Sequence, residues 1–252
     1  MNHLHGPDGV LLILAVAIGY EVLATVGGRP WPWWRTAFFL TGCTLLAAGF
    51  TLHAPSGDFR THMLQHLLIG MFAPLALVLG APVTLLLRTL PRPAGRAVGR
   101  LLRSRYVHLV ANPVVALTLN LGGLVLLYFT PLYAATTRDP TLHLLVHVHV
   151  LLAGCVFAWV GAGPDPAPRR PSVPARLVVL GVAIAFHSVL SQLMYAGLVD
   201  LPVPVAQRQG GAELMYYGGD IAELLLAAAL VATWRPARRR SGERRQPSVQ
   251  SA

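Results

Sequence analysis

The chain contains no lysine, and charged residues of every kind make up 12% of its 252 positions. A soluble domain of this length carries roughly twice that fraction, so an ordinary water-facing surface is excluded. Cysteine is scarce too: Cys43 and Cys155 are the two present, each in the middle of an apolar run. Neither lies in a CxxC or CxC pattern, which excludes the common cysteine metal motifs and leaves two small core residues. HExxH, GxSxG and the Walker sequence are all absent, so the familiar metalloprotease, serine hydrolase and nucleotide-binding templates do not apply. The glycine-rich pieces lie inside or beside apolar runs, where they cradle no phosphate. No internal repeat is visible, and no loop is long enough to build a soluble domain.

What the sequence has instead is apolar residues, 54% of the chain with a mean hydropathy of +0.57. They come in long blocks, not in the spaced stripes of amphipathic surface helices. Seven blocks stand out, near 9–26, 36–53, 62–87, 109–130, 141–161, 177–198 and 213–234. Runs of ~18 or more residues are long enough to cross a bilayer core. The pattern predicts an all-α, polytopic membrane helix bundle of seven transmembrane helices over residues 1–234, with a basic, disordered tail at 235–252. Pro74 and Gly80-Ala81-Pro82 predict a kink or tilt in the third span, where neighbouring helices can satisfy the freed carbonyls. The opening MNHLHGPDGV has no basic residue before its apolar run and does not read as a cleaved signal peptide.

All twenty basic residues are arginine, and seven spans divide them unequally. The loops 27–35, 88–108 and 162–176 and the tail carry Arg29, Arg35, Arg88, Arg92, Arg96, Arg100, Arg103, Arg105, Arg169, Arg170, Arg176, Arg235, Arg238, Arg239, Arg240, Arg244 and Arg245, seventeen in all. The other side carries three: Arg60, Arg138 and Arg208. The positive-inside rule then predicts a cytoplasmic C-terminus and an external N-terminus. The same asymmetry explains the pI near 10.8 through topology and attraction to anionic lipid headgroups, with no nucleic-acid partner.

With that orientation, nine of the ten histidines fall in the outer half of the membrane or at mid-depth. His3, His5 and His53 lie at the outer rim, His62 and His66 open the third span, His143, His147 and His149 lie in the fifth, and His187 is near the middle of the sixth. His62 and His66 are four apart, hence neighbours on one helical face. Two neutral imidazoles on one face can chelate an ion, and the thioethers of Met63 and Met71 nearby suit Cu(I). The pair reads equally as two polar side chains bonding water and carbonyls at a helix mouth. His143 and His147 form a second i, i+4 pair, whereas His149 points to a different face, so one straight helix cannot aim all three at one centre. Each can also serve as a helix-to-helix hydrogen-bonder. In the last span Glu213, Tyr217, Asp220 and Glu223 step by four, three and three. Asp220 and Glu223 are expected to face the bundle interior, paired or protonated, and can accept from imidazole N–H groups behind a metal site or make simple structural bonds.

Four stretches together resemble a known family. HMLQHLLIGMFAPLALVLGAPVTLLLRTLP resembles the signature third span of the caa3-type cytochrome c oxidase assembly factors, the CtaG family of bacteria. HVHVLLAGCVFAWVGAGPDP resembles that family's histidine-bearing span with its Gly-x-Asp-Pro turn, FHSVLSQLM the single-histidine span after it, and QRQGGAELMYYGGDIAE the Gln-x-Gly-Gly opening of the last span. The chain departs from the family's pattern at Gln207-Arg208-Gln209, where members often carry DQQ, and at Tyr216-Tyr217, where they carry Trp.

The resemblance implies a non-enzymatic factor in the bacterial plasma membrane that helps to form haem-copper oxidase. It implies His62, His66, His147, His149 and His187 as copper-handling groups and oxidase subunits as partners; the sequence leaves the oligomeric state open. Two other readings of the histidines are a b-type haem cytochrome, using residues such as His66 with His149 or His187, and an intramembrane zinc hydrolase with Asp220 or Glu223 as base.

Overall fold

A computed structural model of the chain describes residues 7–28, 30–52, 58–167 and 171–233. His3, His5, His53, Arg29, Arg169, Arg170 and the tail 235–252 fall outside them. The described residues form helices and short connections, with no strand among them. They are α1 (Pro7–Val26), α2 (Trp33–Thr51), α3 (Phe59–Leu67), a π-turn (Leu68–Phe72), α4 (Ala73–Leu79), α5 (Pro82–Thr89), α6 (Arg92–Leu102), α7 (Arg105–Val110), α8 (Pro113–Phe129), α9 (Leu132–Thr136), α10 (Pro140–Ala162), α11 (Val173–Ala196) and α12 (Val205–Ala232).

Among the described residues, five helical stretches are long and apolar enough to cross a membrane: Asp8–Val26, Phe59–Thr89, Pro140–Ala162, Val173–Ala196 and Val205–Ala232. Of the other two expected spans, α2 has 19 residues but begins with two tryptophans and Arg35, and α8 has 17 residues. The stretch 88–108, expected as a loop, forms α6 and α7, and neither buries a residue. In α6 the arginines Arg92, Arg96 and Arg100 recur every fourth residue along one face.

The third expected span is the centre of the bundle: 61% of its most apolar window is buried, against 17% for the first. It is also the least regular. Pro74 has no N–H to give to the carbonyl of Gly70, and its ring crowds that oxygen. The helix widens here, with the Ala73 N–H bonded five residues back to Leu68 O, as π-turns do. A second break follows at Gly80–Ala81, where Ala81 adopts φ 53°, a left-handed conformation uncommon for a residue with a Cβ. The buried Tyr20 hydroxyl donates to Gly80 O at 2.7 Å and accepts from Trp31 Nε1 at 3.0 Å.

The break leaves the first amides of α5 without helical partners. Asp165, in the Gly-x-Asp-Pro turn after α10, supplies them. Its carboxylate accepts from Val83 N (3.1 Å), Thr84 N (2.7 Å) and Thr84 Oγ1 (2.6 Å) while 2% exposed. Two separated stretches, Gly-Ala-Pro and Gly-Pro-Asp-Pro, are thus two halves of one helix cap.

The last helix begins at Val205, eight residues before its expected start. The polar stretch Gln207 to Gly211 is helical because it packs on α3. Gln207 Oε1 accepts from Phe59 N at 3.4 Å, and Arg60 Nη2 donates to Ala206 O at 3.0 Å. A Cβ at Gly211 would overlap the Phe59 ring, so the glycine is where the two backbones approach. Around this seam Phe59, Met63, Tyr128, Leu190, Met194 and Met215 form one apolar cluster.

Candidate metal centre

α3, α10 and α12 begin at the end of the bundle where α8 and α11 finish. Three imidazoles meet there. His62 comes from the first turn of α3, and His143 and His147 lie on one face of α10, four residues apart. One ring nitrogen from each lies within 4.8 Å of those of the other two. The rings of His143 and His147 are 4.3 Å apart, and that of His62 stands 6.2 and 6.5 Å from them. Nitrogens bound to one tetrahedral ion at 2.0–2.1 Å lie about 3.4 Å apart, so binding one ion would draw this set closer together.

Aromatic rings wall the trio. Phe59 and Tyr133 lie 5.9 and 5.1 Å from the His62 ring, Phe50 lies edge-on to His147 at 6.0 Å, and the Tyr128 hydroxyl is 3.4 Å from His62 Nε2. Tyr133, in α9 outside the long helices, has its hydroxyl pKa pushed up to about 12, chiefly by burial and then by the negative charge of Asp58. The tyrosine is therefore a neutral wall at physiological pH. Three imidazoles in an apolar, aromatic setting can bind a borderline or soft metal ion such as copper or zinc.

The other candidates lie elsewhere. His66 is buried one turn further along α3, beside Gly70, and is not one of the three. His149 faces away from the trio, packs over Gly123 and makes a 3.2 Å hydrogen bond with the carbonyl of Leu119 on α8. His187 is buried deeper in the bundle, its Nδ1 2.7 Å from Glu223 Oε1. The four polar residues of α12 do not share one inward face: Glu213 and Tyr217 are exposed, Asp220 is half-buried and Glu223 is 2% exposed. Met63 is fully enclosed in the apolar cluster, whereas Met71 lines a small cavity with His187 and Glu223. A cavity of about 730 Å³ between α1, α2, α4, α5, α6, α7 and α10 has no histidine in its lining.

The remaining signature residue, Gln65, holds α2: its amide donates to Leu52 O (2.7 Å) and Gly49 O (3.3 Å). Sequence reasoning missed this role, the Asp165 cap and the two tyrosines. Spacing alone leaves His143, His147 and His149 open alike as ligands. The signal for His143 was its i, i+4 register with His147.

Comparison with known proteins settles the family. The sequence pattern of the cytochrome c oxidase caa3 assembly factors (Caa3_CtaG) matches residues 15–237. The chain belongs to this family. Uncharacterized proteins of Mycobacterium bovis and Mycobacterium tuberculosis are each 32% identical to it over 96% of its length, and one of Mycobacterium leprae is 31% identical over 92%. The chain spans about 40% of the length of these relatives. No solved structure matches it. Its described residues are helical, and several of the helices are apolar enough to cross a membrane.

Proposed function

We propose that the chain is a copper-handling assembly factor. It takes one Cu(I) at His62, His143 and His147 and passes it by contact to a subunit of the haem-copper oxidase. The observation that carries this reading is the convergence of three imidazoles from α3 and α10 inside an aromatic enclosure. Copper is the cargo, and no catalytic step is needed. In this reading α2 and α8 complete a seven-span bundle in the bacterial plasma membrane. The N-terminus is outside, and the arginines of α6 lie among anionic headgroups at the cytoplasmic face. That topology sets the trio at the outer end, open to a donor or acceptor outside the membrane. His66 and His187 lie along the inward continuation of the same path, and His149 supports the α8–α10 contact.

The test is metal analysis of the purified full-length chain after anaerobic loading with Cu(I), for the wild type, His143→Asn and His149→Asn. The reading expects His143→Asn to weaken copper binding at least ~10-fold, as loss of a ligand does more than the 10–100-fold effects of supporting residues. His149→Asn should leave it unchanged. Equal copper retention in both variants would sink the assignment. Cysteine-scanning accessibility of residues in α6 and α9, from the two sides of intact cells, tests the orientation separately.

A further inference from the structure

The cavity of about 730 Å³ on the far side of the bundle from His187 has no part in handling a metal. It is as large as a small-molecule site and far larger than the voids that packed interiors leave. Its lining is aliphatic and aromatic apart from Cys43, Cys155 and Asp165. The Asp165 carboxylate is already taken by Val83 N, Thr84 N and Thr84 Oγ1. An ordered water needs two to four polar partners, so this lining suits a hydrocarbon chain and not water.

The cavity is open on one side and basic at one end. Leu12 and Val16 of α1 and Leu152 of α10 line it, and each is at least half exposed. The gap between α1 and α10 therefore faces the surroundings of the bundle, which for helices this apolar is lipid. On α2 the lining runs from Phe39 to Leu46 and on α10 from Leu152 to Trp159, about 10 Å along each helix. That is roughly two-thirds of one leaflet of a ~30 Å hydrocarbon core. Leu102 of α6 and Val107 of α7 also belong to the lining, and the turn that joins them carries Arg103 and Arg105, both exposed. Neither arginine makes an ion pair among the described residues, and Arg105 Nη2 donates to the neutral Tyr106 hydroxyl at 3.0 Å. Arg92, Arg96 and Arg100 extend the positive charge along α6. An apolar slot about a leaflet deep with unpaired guanidinium groups at its rim is complementary to a lipid with an anionic head.

We propose that this cavity holds an acyl chain of one anionic phospholipid, whose headgroup is bound by Arg103 and Arg105 at the turn between α6 and α7. The chain fills the gap between α1 and α10 and completes the packing of α1, the least buried of the five long apolar stretches. The site owes nothing to the copper reading of the histidines. The orientation proposed above decides only which leaflet supplies the lipid, the cytoplasmic one.

The experiment places the full-length protein in phosphatidylcholine vesicles with a small fraction of phospholipid brominated on its acyl chains, either phosphatidylglycerol or phosphatidylcholine. Bromine quenches indole fluorescence on contact, and Trp159 lines the cavity; subtracting the signal of Trp159→Phe isolates it. Each arginine beside an anionic headgroup contributes about a fivefold preference. The wild type at low salt should therefore favour phosphatidylglycerol at Trp159 by ~30-fold. Arg103→Gln combined with Arg105→Gln should bring the preference within about threefold of unity. Val16→Phe, which fills the open side, should lower quenching by both lipids. Equal quenching by the two lipids in the wild type, or a preference that survives the double arginine variant, overturns the anionic site. No quenching of Trp159 by either lipid overturns lipid occupancy altogether, and a dimer under those conditions gives the cavity to a second copy of the chain. If Trp159→Phe fails to fold, native mass spectrometry decides: one phosphatidylglycerol retained by the wild type and lost from the double arginine variant is expected, and equal retention refutes the site.

Discussion

Replacing Asp165 by alanine removes one buried carboxylate and three hydrogen bonds at once, to Val83 N, Thr84 N and Thr84 Oγ1. Hydrogen bonds to a charged acceptor contribute about 1.5–3 kcal/mol each, offset by the desolvation of the carboxylate. The negative charge also sits at a helix N-terminus, where it is stabilising by a further ~0.3–2 kcal/mol. Allowing for the desolvation, the net local loss comes to roughly 2–4 kcal/mol. The segment that pays is α5, since Ala81 already holds a left-handed conformation there and nothing else caps its first turn. Hydrogen exchange followed by mass spectrometry reads this directly. Val83 and Thr84 lose their acceptor in the variant, so the informative amides are those further along, such as Leu85 and Leu90, whose bonds to Ala81 O and Leu86 O are unaltered. A local opening free energy lower by 2–4 kcal/mol speeds their exchange roughly 30- to 1000-fold. Asp165→Asn, which keeps one acceptor oxygen, should fall between. Exchange across Pro82–Thr89 that changes less than about threefold in the alanine variant would refute the cap as the reason for this turn.

Gly211→Ala should lower the unfolding midpoint in detergent, because its methyl meets the Phe59 ring; overpacking of this kind costs about 1–3 kcal/mol. Gly219→Ala, on the same helix with nothing within 4 Å of the added carbon, should be neutral or stabilising, and equal behaviour of the two would refute the α3–α12 seam. Tyr133 gives a pH prediction: its pKa is raised from 10.0 to about 12 in the folded state, so the folded protein holds the proton longer than the unfolded chain. Its stabilising contribution is complete below pH 10 and is lost as pH rises from 10 to about 12. Ultraviolet titration of tyrosinate should show a group ionising near pH 12 that Tyr133→Phe removes and Asp58→Asn shifts downward.

The membrane helices were legible one stretch at a time, because the period and length of an apolar run depend on the local chain alone. α1, α10 and α11 begin and end within a few residues of their expected bounds. The start of α12 was not, because its polar residues Gln207 to Gly211 become helical through contacts with Phe59 and Arg60 on a distant helix. α6 was missed for a related reason: a stretch rich in arginine and glycine carries no apolar block.

The sequence by itself determined that this is a membrane helix bundle, that its third stretch kinks or tilts near Pro74 and Gly80, and that its histidines crowd a few helices. It also showed that His143 and His147 share a face and that His149 does not, since helical phase is a property of spacing. Only the tertiary structure decided which imidazoles meet: His62 reaches the α10 pair while His66, one turn away, does not. Only packing paired His187 with Glu223 across two helices and brought Gly154 against the Gly70 backbone. A sequence fixes the direction of each side chain about its own helix axis. The distance between two helices is set by the small residues and broken turns through which they touch.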